Sequence, residues 1–531
     1  MHLHGVLSGS QKCSNAERNI FQATLSLKDR IAQLIHHKQK GQLISFDLEA
    51  AFDRVSRTFL NRTMCSLGFD RNFVDLLAKI SECSSSRVLV NGHLSSPFAI
   101  ERSVRQGDPL SMHLFVLYLH PLLTKIEHVC GTDIVVAYAD DITVIVTATH
   151  KINDINQIFS RFGRVSGASL NQNKTYGMDV GFTNGEALSV PWLRTVNEVK
   201  VLGVVFINSI RDMITRNWDS VVTKFGQLLW LHSMRTLTLH QKVTLLNTFI
   251  SSKIWYLSSI LPPKSLHIAK ITSSMGNFLF RGITARVPIQ QLARSVENGG
   301  LKLHIPALKC KALLVNRHIV EIDCMPFYKL NIARSGNQPR PSTHLPDLKK
   351  VSTNFSQLPA QLQQNPTAKL IHGFYQDQTE LPRMERKYPQ NNWRKIWINI
   401  ADRQLSSASR SNLYLLINEK ISHRVLFNTL GRCDGTNCLY CNALHATIAH
   451  KFAECRKVRC AWNVLQRRIA NITGEHRQIS CDELLRPSLE QLERTTRNYV
   501  LIQFMNYILF VNDCNNDIDI NALEFHLEVN G

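Results

Sequence analysis

The sequence predicts an α+β protein: an antiparallel sheet with packed helices, then a helical region, then a small C-terminal domain rich in Cys and His. Three observations carry this. The apolar, β-branched runs Ile134-Val135-Val136 and Ile142-Thr143-Val144-Ile145-Val146 flank Tyr138-Ala139-Asp140-Asp141, which reads as strand, tight turn, strand. From about residue 211, apolar residues recur at helical spacing: Trp218, Val222, Phe225, Leu228 and Leu229, then Val243, Leu246, Phe249 and Ile250. Near the C-terminus, Cys438, Cys441, His450 and Cys455 form a Cys-x2-Cys-x8-His-x4-Cys pattern.

Composition narrows the function. A chain of 531 residues is long enough for two to four domains. Its formal net charge of +21 suits a polyanionic partner, because cations displace the counterions of a phosphate backbone. The basic residues recur throughout, as a lined groove requires. Thirteen cysteines are thinly spread and no segment reads as a signal peptide, which points to a reducing compartment. No run approaches the roughly 18 apolar residues of a membrane span. The longest, Tyr499 to Val511, is broken by Gln503 and Asn506 and reads as a buried helix.

In chain order, Ala16 to Ile35 reads as a helix. Leu43-Ile44-Ser45-Phe46 is a short buried strand that ends on Asp47, and Leu48 to Val55 has helix-forming character. Carboxylates beside apolar strands are costly to hold unless a cation neutralises them. Their hard oxygens suit Mg²⁺, and Asp47 and Asp140 would bridge two metal ions if their strands are neighbours. Gln106-Gly107-Asp108-Pro109 marks a loop entering a helix, with Pro109 at an early helical position and Leu110, Leu114 and Leu117 on its apolar face. Asn298-Gly299-Gly300-Leu301 reads as a turn closing the helical region. Residues 331–392 contain Pro339, Pro341, Pro346, Pro359, Pro366, Pro382 and Pro389 among many Gln, Asn and Ser, the composition of a partly disordered linker. The Cys/His pattern supplies four soft or borderline ligands, a set for tetrahedral Zn²⁺ with no open position, hence structural. Cys433 and His445 are near enough to compete as ligands, and Cys460 reads as a buried thiol.

A resemblance makes these readings specific. Phe46-Asp47-Leu48-Glu49-Ala50-Ala51-Phe52-Asp53, Arg105-Gln106-Gly107-Asp108-Pro109-Leu110-Ser111 and Tyr138-Ala139-Asp140-Asp141 resemble motifs A, B and C of reverse transcriptases, in the form found in non-LTR (LINE-type) retrotransposons. Gly167 to Thr175 is similar to motif D, and Val199-Lys200-Val201-Leu202-Gly203-Val204 resembles the primer-grip hairpin of motif E. His4 to Ser10 resembles a degraded form of the motif that precedes motif A. The match is close over residues 1–210 and looser beyond.

The resemblance implies a right-hand polymerase. Residues 1–40 would be a remnant of the fingers, 41–210 the palm, 211–330 a helical thumb and connection, 331–392 a flexible linker, and 393–531 a helical domain with a zinc-knuckle-like site. It implies RNA-directed DNA synthesis on an RNA template from a DNA primer or target, using dNTPs. Asp47, Asp140 and Asp141 would hold Mg²⁺ (or Mn²⁺), and Lys174 would protonate the departing pyrophosphate. Phe52 would be the aromatic gate under the sugar, which excludes a ribose 2′-hydroxyl. Arg105, Gln106 and Gly107 would lie near the nucleotide and template base, and Leu202 and Gly203 would position the primer. Chemistry on chromosomal DNA favours the nucleus over the cytoplasm. Complete enzymes of this kind carry fingers, and usually an endonuclease, upstream of motif A, so the sequence is expected to be truncated at its N-terminal side. The alternative is a catalytically inactive, nucleic-acid-binding remnant. A two-metal nuclease would leave motifs B, D and E without a role. The sequence leaves the oligomeric state open.

Overall fold

The computed structural model describes residues 7–14, 17–82, 84–181, 188, 190–281, 286–335, 345, 348–376, 381–474, 478, 493–513 and 518–529. His4, Gly5 and Val6 of the N-terminal motif, and Pro339, Pro341 and Pro346, lie outside them. The chain divides into two compact units. One comprises residues 1–220, 256–263 and 313–368, the other residues 221–255, 264–312 and 369–531.

The first unit is built on a five-stranded sheet. Helix α1 (Ile20–His36) precedes strand β1 (Lys40–Phe46). Helices α2 (Arg57–Ser66) and α3 (Arg71–Glu82) follow, then four two-residue strands, β2 to β5 (Ser85–Ser86, Leu89–Val90, His93–Leu94, Phe98–Ala99). Next come α4 (Ser111–Cys130), the hairpin β6 (Ile134–Tyr138) and β7 (Asp141–Val146), α5 (Thr149–Ser166), β8 (Tyr176–Gly181), β9 (Arg194–Thr195), a second hairpin β10 (Glu198–Val201) and β11 (Val204–Ile207), and α6 (Ile210–Ser233). The sheet order is β6-β7-β1-β8-β9. β1 runs antiparallel to both β7 and β8.

β1 is central because it is apolar on both faces. Ile44 and Phe46 face a core shared with α2, α4 and α5, which includes Leu60, Met64, Phe115, Tyr118, Ile152 and Phe159. On β1, Leu43 pairs with Ile145, and both are fully buried. Helix α1, with Leu25, Ile31 and Leu34 buried, starts from Asn19, whose Oδ1 accepts the N–H groups of Phe21 and Gln22. Gly41 gives Leu34 room: a Cβ there would lie 2.8 Å from its Cδ1.

Several expectations need correction. Leu48 to Val55 forms no helix. Glu49 N–H donates to the Ser169 carbonyl (2.9 Å) and Asn171 N–H to the Asp47 carbonyl (2.8 Å), with a β-bridge between Leu48 and Leu170. These non-local bonds override helical propensity, and the chain turns at Ala50 (φ 45°). The helix expected from Pro109 begins at Ser111. Pro109 lies in the preceding turn, and Leu110 is exposed while Leu117 is buried. Cys460 is exposed, because its position on the helix Arg459–Thr473 turns it away from buried Ala461 and Leu465.

The described part of the proline-rich stretch carries the short helices Leu348–Ser356, Ala360–Gln364, Ala368–Gln376 and Arg383–Lys387. Pro359 and Pro382 occupy N-cap positions, where the absent N–H is not needed.

In the second unit, Thr238 and Gln241 form a capping box at the helix Leu239–Leu245. The turn at Gly299 (φ 77°) packs beneath Trp397, whose ring would be 2.7 Å from a Cβ at that position. The Gly299 carbonyl accepts from Tyr414 Oη at 2.8 Å. No helix among the described residues is long and apolar enough to cross a membrane.

Side-chain amides fasten strand ends in the first unit. Asn208 bonds both backbone groups of Gly181 at 2.7 and 3.0 Å. Asn217, buried on α6, accepts from Val205 N–H (2.9 Å) and donates to the Val205 and Met213 carbonyls (2.7 and 2.8 Å). Asn217→Ala strands these backbone groups and is expected to destabilise the first unit by about 1–3 kcal/mol, measured by denaturant unfolding.

Candidate active site

The register of the sheet brings the acidic residues to one end. β1 and β7 pair Phe46 with Ile142, so continuing the ladder one residue sets Asp47 opposite Asp141. Directly opposed residues share a face of the sheet. In the β6–β7 hairpin, Tyr138 pairs with Asp141, leaving Ala139-Asp140 as a two-residue loop. Ala139 has a φ of 54°, which a primed hairpin turn demands of its first residue and which glycine adopts most readily.

The electrostatics reflect this convergence. The Asp141 carboxyl is pushed above the usual carboxylate range, first by desolvation and then by the negative charges of Asp140 and Asp47. Three mutually repelling carboxylates with hard oxygen atoms fit a divalent cation of the Mg²⁺ type.

The other sequence-predicted residues fall around or beyond this cluster. Lys174 is exposed in the short 3₁₀ turn Gln172–Lys174, directly after Asn171, which bonds the Asp47 carbonyl. Phe52 is half-buried, its ring stacked on Phe115 at 4.3 Å. The segment leading to Arg105 is tied beside it, since Val104 N–H donates to the Phe52 carbonyl and Ser103 N–H to that of Val55, both at 3.0 Å. Arg105 donates to Ser84 Oγ at 2.7 Å. Gln106 and Gly107 are exposed, the latter at φ 92°. Leu202 and Gly203 (φ 48° and 82°) make the tip of the β10–β11 hairpin, where the Leu202 carbonyl accepts from Tyr256 Oη at 2.8 Å. Sequence reasoning missed Gln11. Its side chain reaches the Ala139 backbone across 128 positions, and no local pattern announces such a contact.

Comparison with known proteins bears on the same residues. Residues 5–206 match the family model described as reverse transcriptase (RNA-dependent DNA polymerase). A 149 kDa protein of transposon TX1 from Xenopus laevis is 26% identical over 299 residues, covering 52% of this chain and 22% of that protein. A Pol polyprotein of the type-1 retrotransposable element R2 from Popillia japonica is 27% identical over 185 residues, covering 33% and 26%. Over residues 5–206 the chain is similar to reverse transcriptases, and these relatives are proteins of transposable elements. A Candida albicans telomerase structure, in complex with a fragment of telomeric RNA, superposes at a TM-score of 0.33 and 11% identity over 65% of this chain and 55% of its own. That score is too low to bear on the fold. The chain spans about a quarter or less of the length of the curated relatives named here.

The second unit carries the Cys/His cluster. Ligand atoms of Cys438, Cys441, His450 and Cys455 all lie within 4.8 Å of one another. Cys438 and Cys455 Sγ are 3.8 Å apart, and Cys441 Sγ is 3.3 Å from His450 Nε2. A π-helical turn, His450–Glu454, precedes Cys455. Its wider loop lets Cys455 N–H bond the His450 carbonyl at 2.9 Å and returns residues five apart to one side. The Ala443 backbone N–H draws the Cys441 thiol down, and burial pushes Cys455 up to about 11. The competing ligands stand apart: Cys433 Sγ contacts the Arg424 and Gly435 carbonyls, and His445 Nδ1 meets Thr436 Oγ1 at 3.2 Å.

The repulsion among the carboxylates has a measurable consequence. Asp141→Asn is expected to raise the melting temperature by about 1–3 °C without added divalent cation, and the gain should shrink as Mg²⁺ is titrated in, followed by scanning fluorimetry.

Proposed function

We propose that this chain catalyses RNA-directed DNA synthesis, transferring a deoxynucleotide to a primer 3′-hydroxyl on an RNA template, with DNA as primer or target. The observation that carries the reading is Asp47 set opposite Asp141 beside the Asp140 turn, within a reverse transcriptase domain. Asp47, Asp140 and Asp141 would hold Mg²⁺ (or Mn²⁺), which when bound neutralises the triphosphate and the attacking oxygen. Polymerisation asks little else of a protein than position and charge.

The remaining residues then have defined tasks. Phe52, braced by Phe115, would stand where a ribose 2′-hydroxyl must fit. Arg105, Gln106 and Gly107 would border the nucleotide and the template base. Lys174 would give a proton to the leaving pyrophosphate, and Leu202-Gly203 would hold the primer backbone. Work on chromosomal DNA would place the protein in the nucleus.

Cys438, Cys441, His450 and Cys455 would hold Zn²⁺. Four protein ligands leave no open position, so the ion would stabilise the fold and take no part in nucleotide transfer. A zinc-knuckle-like element in so basic a chain supports contact with nucleic acid.

Primer extension on poly-rA/oligo-dT with Mg²⁺ tests the polymerase reading. The unmodified chain is expected to extend, and Asp140→Ala to lose about a thousandfold or more in rate; equal signals would remove Asp140 from the chemistry. Zinc is tested separately by metal analysis. About one ion per chain is expected, and Cys455→Ser should release it and lower the melting temperature of the second unit.

A further inference from the structure

The turn that carries Asp140 and Asp141 is held from outside the motif. Residues 10–12 run parallel along the outer edge of β6: Ala137 N–H donates to the Ser10 carbonyl (2.9 Å) and Lys12 N–H to the Ala137 carbonyl (2.8 Å). This places the Gln11 side chain, only 1% exposed, against the turn. Gln11 Oε1 accepts from Ala139 N–H at 3.1 Å, and Nε2 donates to the Ala139 carbonyl at 3.3 Å. Cys13 N–H donates to the same Oε1 at 3.1 Å, which fixes the orientation of the amide. Its backbone is anchored in turn. Arg18 Nη1 donates to the Ser8 and Gln11 carbonyls at 2.6 and 2.8 Å. Glu127 Oε1 accepts from Ser8 Oγ and Ser10 N–H at 2.6 and 2.7 Å.

The bracing matters because of what Ala139 is. Left-handed backbone is unfavourable for alanine and natural for glycine, yet Ala139 is buried at a φ of 54°. With both its backbone groups withdrawn from water, the residue needs internal partners. A side-chain amide supplies one donor and one acceptor at the matching spacing. Being neutral, it also adds no charge beside three carboxylates.

We propose that Gln11 is the positioning residue of the Asp140-Asp141 turn: by holding both backbone groups of Ala139 it keeps these carboxylates in register with Asp47. The catalytic consequence rests on the polymerase reading, and the clamp itself does not. Near-isosteric Gln11→Met removes both bonds to Ala139, together with the one from Cys13 N–H, without opening a cavity. It is expected to lower kcat about tenfold, the equivalent of one buried bonded pair, with primer–template Kd unchanged and more Mg²⁺ needed for half-maximal rate. Adding Ala139→Gly relieves the left-handed strain and should recover about half or more of the loss. A purely structural role would weaken binding in parallel and show no such rescue. Wild-type kcat in Gln11→Met, or a double variant no better than the single one, overturns the proposal. If the unmodified chain extends no primer, the polymerase reading fails. Amide hydrogen exchange over residues 138–141 then decides the clamp, with faster exchange in Gln11→Met supporting it and unchanged exchange overturning it.

Discussion

The pairing register of β1 against β7 is the constraint on which the rest of the site depends. Slipping it by one residue would turn every β1 side chain to the other face. Ile44 and Phe46 would leave the core they share with α4 and α5, and Asp47 would no longer oppose Asp141. Burial on both faces of β1 therefore does two things. It drives the strand to the centre of the sheet, and it fixes where the carboxylate at its end emerges. Repulsion among the acids is tolerated because the core enforcing this register is large.

Around the sheet, short irregular segments are held by backbone groups and side-chain amides. Asn171 and Ser169 bond the stretch that follows Asp47, and Ser103 and Val104 bond the stretch around Phe52. Asn208, Asn217 and Gln11 each bond both backbone groups of one residue. An amide suits this task because it pairs a donor with an acceptor in one plane.

The second unit solves a different problem. There a π turn brings His450 and Cys455 to the side on which Cys438 and Cys441 lie, so that four ligand atoms converge. Zn²⁺ held by such a set would add its binding free energy to the folding of this unit.

Much was legible before the fold was known. The apolar runs about Tyr138 to Asp141, the strand ending on Asp47, the Leu202-Gly203 hairpin and the Cys/His spacing all depend on neighbours a few residues away, and a sequence displays such neighbours directly. The chain from Leu48 to Val55 departs from its helical pattern for the complementary reason. Its local propensity is helical, but its strand-end and loop hydrogen bonds reach Ser103, Val104, Ser169 and Asn171, far downstream. Cys460 is exposed against expectation because the spacing of a cysteine does not reveal which face of its helix meets a core. The sequence by itself determined which groups are candidates for the chemistry and, for the two acidic strand ends, on what kind of element they sit. The tertiary structure alone decided that Asp47 meets Asp141, that Gln11 braces Ala139 and that Cys433 stays outside the Cys/His cluster, because each depends on a contact between segments that only the packed core brings together.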